Sequence, residues 1–213
     1  HRVDRRQRQM CIRDSGTSIS AVNDAPVASG SSTLTAVIED TATPAGATVS
    51  TLFSSNFSDS TDAVTNGSTA NTLAGIAITG YTADTAKGNW QFTTNGTSWT
   101  TIGTVSDTSA LTLGVGTNDK LRFVPAANWN GTAPSLTVRL IDSSATVTTG
   151  ATAVNVSANG GTSAYSSATV ALGTSITAVN DAPQFSNAWS GGFNIIPFGN
   201  TNDEGWRVAR QSD

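Results

Sequence analysis

An eleven-residue segment occurs twice in this chain. GTSISAVNDAP (Gly16–Pro26) returns as GTSITAVNDAP (Gly173–Pro183), with ten of eleven residues identical at an offset of 157. Self-similarity at a fixed spacing is the mark of a repeat architecture. It sets the unit at the size of one large domain. The expected organisation follows from it. Residues 16–26 are the last strand and linker of a preceding repeat. Residues 27–183 are one complete repeat, and residues 184–213 begin a further repeat or form an unrelated tail.

Between the two copies the pattern is that of strands. Runs of about five to seven β-branched and apolar residues are separated by Gly, Asn, Asp and Pro. They include TLTAVIE (33–39), GIAITGY (75–81), KLRFVP (120–125), SLTVRLID (135–142) and SATVALGTSITAV (167–179). In SLTVRLID, Leu136, Val138 and Leu140 alternate with Thr137, Arg139 and Ile141, the period of a strand with one face turned inward. NWQFTTNGTSWTTI (89–102) reads as a hairpin. Asn95-Gly96 suits a type I′ turn, which needs positive φ at both central positions, and that register sets Phe92 opposite Trp99. No long amphipathic helix is evident. The fold class implied is all-β, an antiparallel Greek-key β-sandwich.

The first fifteen residues are of a different kind. HRVDRRQRQMCIRDS holds five of the eleven Lys+Arg, together with the only His (His1), Met (Met10) and Cys (Cys11). It lacks the apolar run of a secretory signal, and the acidic remainder offers no basic face to extend a nucleic-acid arm. RRQRQMCIRDS resembles, residue for residue, a translated transposase adapter from a short-read sequencing library. Residues 1–15 are therefore set outside the fold. The other 198 residues carry 6 Lys+Arg against 13 Asp+Glu, a net charge of −7, and no His, Cys or Met. Without His or Cys there is no Ser-His-Asp triad, no thiol nucleophile and no basis for a structural zinc site. Carboxylates, hydroxyls and amides remain, and these are hard oxygen ligands suited to calcium.

The order of acidic residues carries a second resemblance. VNDAP is followed by a strand ending in Glu39-Asp40, then by Asp59 and Asp62 in NFSDSTD. This order, with WQFTTNGTSWTTIG and LRFVPAANWNGTAPSLTVRLID, resembles the cadherin-like repeats of very large bacterial surface and secreted proteins, over roughly residues 16–186. The resemblance implies calcium at the junctions between repeats, where it rigidifies the link. It implies Asn23 and Asp24 as linker ligands, Glu39 as the early glutamate, and Asp59 and Asp62 as the aspartate pair. The spacing here is D-x-x-D rather than D-x-D, and no D-R-E motif is present. Asn180 and Asp181 repeat the linker at the next junction. The competing reading is that these Asp and Asn residues make turns, bonding their own backbone.

Trp90, Trp99 and Trp129 would form either a sugar-stacking platform or sandwich core, and core is the expectation; Trp129, in NWNGT, is the one expected nearest solvent. Asp107 and Asp119 as a glycosidase pair are outweighed by turn roles in VSDTSA and GTNDK. Gly160-Gly161 precedes no helix, so no phosphate-cradling loop is expected.

The functional expectation is a non-enzymatic structural or adhesive module of a large extracellular bacterial protein, with calcium as cofactor. Its partners would be neighbouring repeats and cell-surface or matrix glycans or proteins, without nucleic acid or membrane insertion. The alternative is a carbohydrate-binding β-sandwich of a secreted hydrolase.

Overall fold

The computed structural model describes residues 20–181. Residues 1–15, residues 16–19 of the first repeated segment, and the tail from residue 182 lie outside the described residues. The chain forms two units, His1–Ala178 and Val179–Asp213. The first carries every element named below. Of the second, only Val179–Asp181 are described.

The strands in chain order are β1 (Val27–Ala28), β2 (Ser31–Thr33), β3 (Val37–Ile38), β4 (Ala47–Thr48), β5 (Phe57–Ser58), β6 (Leu73–Tyr81) and β7 (Gly88–Thr93). There follow β8 (Thr100–Thr101), β9 (Leu111–Gly114), β10 (Lys120–Pro125), β11 (Gly131–Thr132), β12 (Leu136–Asp142), β13 (Val170–Gly173) and β14 (Ser175–Thr177). One short helix, α1 (Val49–Phe53), is capped by Thr48, whose hydroxyl accepts from the Thr51 amide, and it buries Val49, Leu52 and Phe53.

The protein is an all-β sandwich. A five-stranded sheet in the order β2-β13-β12-β6-β9 faces a four-stranded sheet in the order β4-β10-β7-β8. Alternation along the strands sets the core. Ile76, Ile78, Leu113, Leu136, Val138, Leu140, Val170 and Leu172 meet Trp90, Leu121 and Phe123 in one buried cluster. The Trp90 indole stands edge-on to Phe123 at 5.5 Å, and its N–H donates to the Pro134 carbonyl at 2.6 Å. Trp90 is therefore core, as expected, and takes no part in a surface platform. Trp129 is partly buried, 6.5 Å from Phe123.

Most pairings are antiparallel, but the N-terminal segment adds two parallel ones: β2 to β13 and β3 to β14. The sheets are thus mixed at their edges, where a purely antiparallel arrangement was expected. The hairpin differs too. Phe92 pairs with Thr100, not with Trp99, and of the two turn residues only Gly96 has positive φ. The cause is the Asn95 side chain. Its Oδ1 accepts from the amides of Thr97 at 2.9 Å and Ser98 at 2.8 Å. This local capping favours a longer loop over the two-residue turn.

A third layer lies outside the five-stranded sheet. Ala77, Ala110, Ile141 and Val156 form a separate buried cluster, packed by Val147, Val154 and Tyr165. The segment between β12 and β13 supplies most of this cover. It is tied down by Ala110 N to Val154 O at 2.8 Å and Ser166 N to Leu140 O at 3.0 Å. Both faces of β12 are consequently buried from Val138 to Asp142.

Candidate metal centre

β12 ends in Asp142, which is fully buried. The turn beyond it closes on its carboxylate, with the Ser144 amide donating to Asp142 Oδ1 at 2.8 Å. Two further buried carboxylates come from the connection between β5 and β6. Asp59 precedes a single 3-10 turn over Ser60–Asp62, so the D-x-x-D spacing places both acids on one short bend. Asp59 is 4% exposed and Asp62 8%.

Asn71 links these acids to the linker. Its amide nitrogen donates to Asn23 Oδ1 at 2.7 Å and to Asp62 Oδ2 at 2.9 Å, and its backbone N–H donates to Asp59 Oδ2 at 2.9 Å. Asn23 Nδ2 reaches Asp142 Oδ2 at 3.4 Å. The Asp24 backbone N–H donates to Asp62 Oδ1 at 2.8 Å, while the Asp24 side chain is exposed. One residue on, the Ala25 amide donates to the Gly161 carbonyl at 2.7 Å.

The electrostatics of this cluster are unbalanced. Burial raises the Asp59 carboxyl above its ordinary value of 3.8, and the neighbouring Asp62 and Asp142 carboxylates add to the rise, against an opposing hydrogen bond from the Asn71 amide. Among the described residues no Lys or Arg contributes to the field there. Among the described residues Asp59 Oδ1 is buried without a donor, and only a proton shared with Asp62 would give it a hydrogen bond. An orphaned buried carboxylate oxygen beside two other carboxylates requires a proton or a cation. The available donors are all carboxylate and amide oxygens, the set that a hard divalent ion selects. Asp62 and Asp142 spend their oxygens on amide and hydroxyl donors. In keeping with that, among the described residues no three acidic groups form a ready metal cage. Ligation would draw those oxygens away from their present donors.

Sequence reading placed Asn23, Asp24, Asp59 and Asp62 together, and the structure brings them together, Asp24 through its backbone. Glu39 is elsewhere. It is 4% exposed, its amide donates to the Thr177 carbonyl at 3.0 Å, and Asn130 Nδ2 donates to its carboxylate at 3.2 Å. From the Leu136–Leu172 pair, Asp142 lies six positions along β12 in one direction. Thr177 lies five positions along β13 and β14 in the other. At about 3.3 Å per residue this separation is on the order of 30 Å, so Glu39 shares no ion with Asp59. Beside it, Asp40 Oδ1 accepts from the Asn128 amide at 2.8 Å. Asn180 Nδ2 donates to the Asp181 carbonyl at 3.3 Å, the local bond that Asn23 Nδ2 makes to Asp24 at 3.1 Å.

Asn71 and Asp142 were missed. Asp142 had a signal, a carboxylate closing the strand SLTVRLID directly after Leu140 and Ile141. Asn71 sits in TANTL and had none. The imagined pair Asp107 and Asp119 has structural roles. Asp107 takes a two-pronged ion pair from Arg139 at 2.7 and 3.1 Å. Asp119 accepts from Thr149 Oγ1 at 2.7 Å and the Gly116 amide at 2.9 Å.

Comparisons with family profiles, with curated protein sequences and with solved structures find no match.

Proposed function

We propose that this chain is a non-enzymatic structural module whose N-terminal end is a cation-dependent joint. The observation that carries the reading is Asp59 Oδ1, orphaned and buried among Asp62 and Asp142, in the same network as the linker residue Asn23. A divalent ion bound by Asp59, Asp62 and Asp142, with the side-chain oxygens of Asn23 and Asn71, would neutralise the acids and clamp the linker to the sandwich. Calcium suits this donor set best, since it accepts six to eight oxygens in irregular geometry. A spacer of an extracellular bacterial surface protein fits such a joint, and the cadherin-like resemblance of the sequence favours the same role.

An ion that binds the folded chain alone stabilises it by mass action, by about 2.7 kcal/mol at a hundredfold excess over Kd. Calorimetry of the full chain in EDTA and in millimolar calcium is the test. A rise in Tm of several degrees with calcium is expected. An unchanged Tm removes the metal from this reading.

A further inference from the structure

The outer face of the four-stranded sheet carries a different chemistry. Leu121 and Phe123 of β10 point into the core, so Lys120 and Arg122, alternating with them, share the outer face. Gln91, the register partner of Arg122 on β7, lies there as well. Residues 20–181 contain four basic side chains and ten acidic ones. Lys87 pairs with Asp84 and Arg139 with Asp107. Lys120 and Arg122 have no acidic partner among the described residues.

Arg122 is held in place by neutral groups. Gln91 Oε1 accepts from its Nε at 2.9 Å and its Nη2 at 2.7 Å, and the Pro44 carbonyl accepts from Nη1 at 3.3 Å. Its guanidinium carbon lies 4.1 Å from the centre of the Trp99 ring. Only three of the five N–H donors are used. The cation is therefore oriented without being neutralised, which lowers the ordering cost of binding an anion. Thr101, across from Gln91, adds a hydroxyl. Pro44 also lines an open groove of about 330 Å³ with Leu34, Val37, Ala45 and Ala47.

We propose that this face binds a carboxylate-bearing polysaccharide, with Arg122 and Lys120 taking uronate carboxylates and Trp99, Gln91 and Thr101 contacting the sugar rings. A guanidinium with spare donors suits a planar carboxylate, while amide, hydroxyl and indole groups on a flat face suit hydroxylated rings. An acidic peptide has less to use here, because it brings no hydroxylated rings to Trp99, Gln91 and Thr101. The remaining net negative charge of the molecule works against a polyanion at long range. At about 0.1 M salt that repulsion is screened beyond roughly 10 Å, while direct contacts survive.

This assignment is independent of the metal, so the assay contains EDTA, which also removes calcium bridging between acids. The full chain is run in affinity gels containing polygalacturonate, neutral dextran or poly-glutamate. Retardation by polygalacturonate alone is expected. Lys120→Gln, whose ammonium has no partner to lose among the described residues, is expected to weaken it at least threefold. Arg122→Gln is expected to weaken it tenfold, with melting recorded for both variants. No retardation of the parent chain overturns the proposal. So does equal retardation of a folded Lys120→Gln variant, and so does stronger binding to poly-glutamate, which would make the face a peptide site.

Discussion

Asp59 is the residue at which burial and charge oppose one another. Its Oδ2 is satisfied by the Asn71 amide and its Oδ1 by nothing, while burial and two neighbouring acids disfavour its charge. Asp59→Asn retains an oxygen for the Asn71 amide and turns the orphaned acceptor into a donor facing Asp62. In EDTA the variant is expected to be more stable than the parent by about 1 kcal/mol, or ~2–4 °C in Tm. In calcium the order reverses, because the variant cannot follow the parent's rise. Melting both proteins under both conditions gives four values, and a variant that still gains the parent's full calcium shift would remove Asp59 from the site. The residues at this scale were partly legible. Asn23, Asp59 and Asp62 belong to short acidic or amide-bearing turns that the eye finds in the sequence. Asn71 joins them only through tertiary contact, 48 positions from Asn23 and 9 from Asp62, and no local pattern records that.

β12 shows the same division among elements. Its inner face, Leu136, Val138 and Leu140, follows from alternation alone. Its outer face does not, because Arg139 and Ile141 are buried by a Ser-, Thr- and Ala-rich segment with no periodicity of its own. Arg139 fastens that segment. Its Nη1 donates to the carbonyls of Ser166 at 2.9 Å and Ser167 at 2.6 Å, while Nε and Nη2 hold Asp107. The hydrogen bond and charge of Arg139 lower the Asp107 carboxyl below its ordinary 3.8. A lowered acid stabilises the fold above the unfolded value and loses that contribution as pH falls through the folded value. The stability that Asp107 supplies is therefore complete above pH 3.8 and disappears below it. Asp107 is 43% exposed, so solvent screening limits the effect to roughly 1 kcal/mol or less. Melting curves from pH 5 down to pH 2 are expected to fall less steeply below pH 3.8 in Asp107→Asn than in the parent. Parallel curves would show that the pair adds nothing.

Closure of the whole molecule depends on its first strands meeting its last. β2 and β3 are too short to be recognised individually, and each lies parallel to its partner, a pairing that local sequence cannot announce because it joins residues about 140 apart. Alternation nevertheless places Ala28, Ser32 and Leu34 inside, and the Leu34 amide donates to the Gly173 carbonyl at 2.9 Å. The segment therefore covers the edge of β13 and fills part of the core. Truncation separates this role from that of the opening fifteen residues. A chain starting at Gly16 is expected to melt within about 1 °C of the full chain, since those fifteen residues read as adapter-derived. A chain starting at Thr35 loses the buried Ala28 and Leu34 side chains and the strands β1 and β2. Side-chain loss alone costs on the order of 3–5 kcal/mol, and at ~2–4 °C per kcal/mol its Tm is expected to fall by at least about 6 °C. Calorimetry of the three lengths distinguishes the cases. A large drop on removing residues 1–15 would give the basic head a structural role and end its reading as a library scar, while a chain from Thr35 that melts like its parent would mean that the parallel edge strand β2 does not close the sandwich.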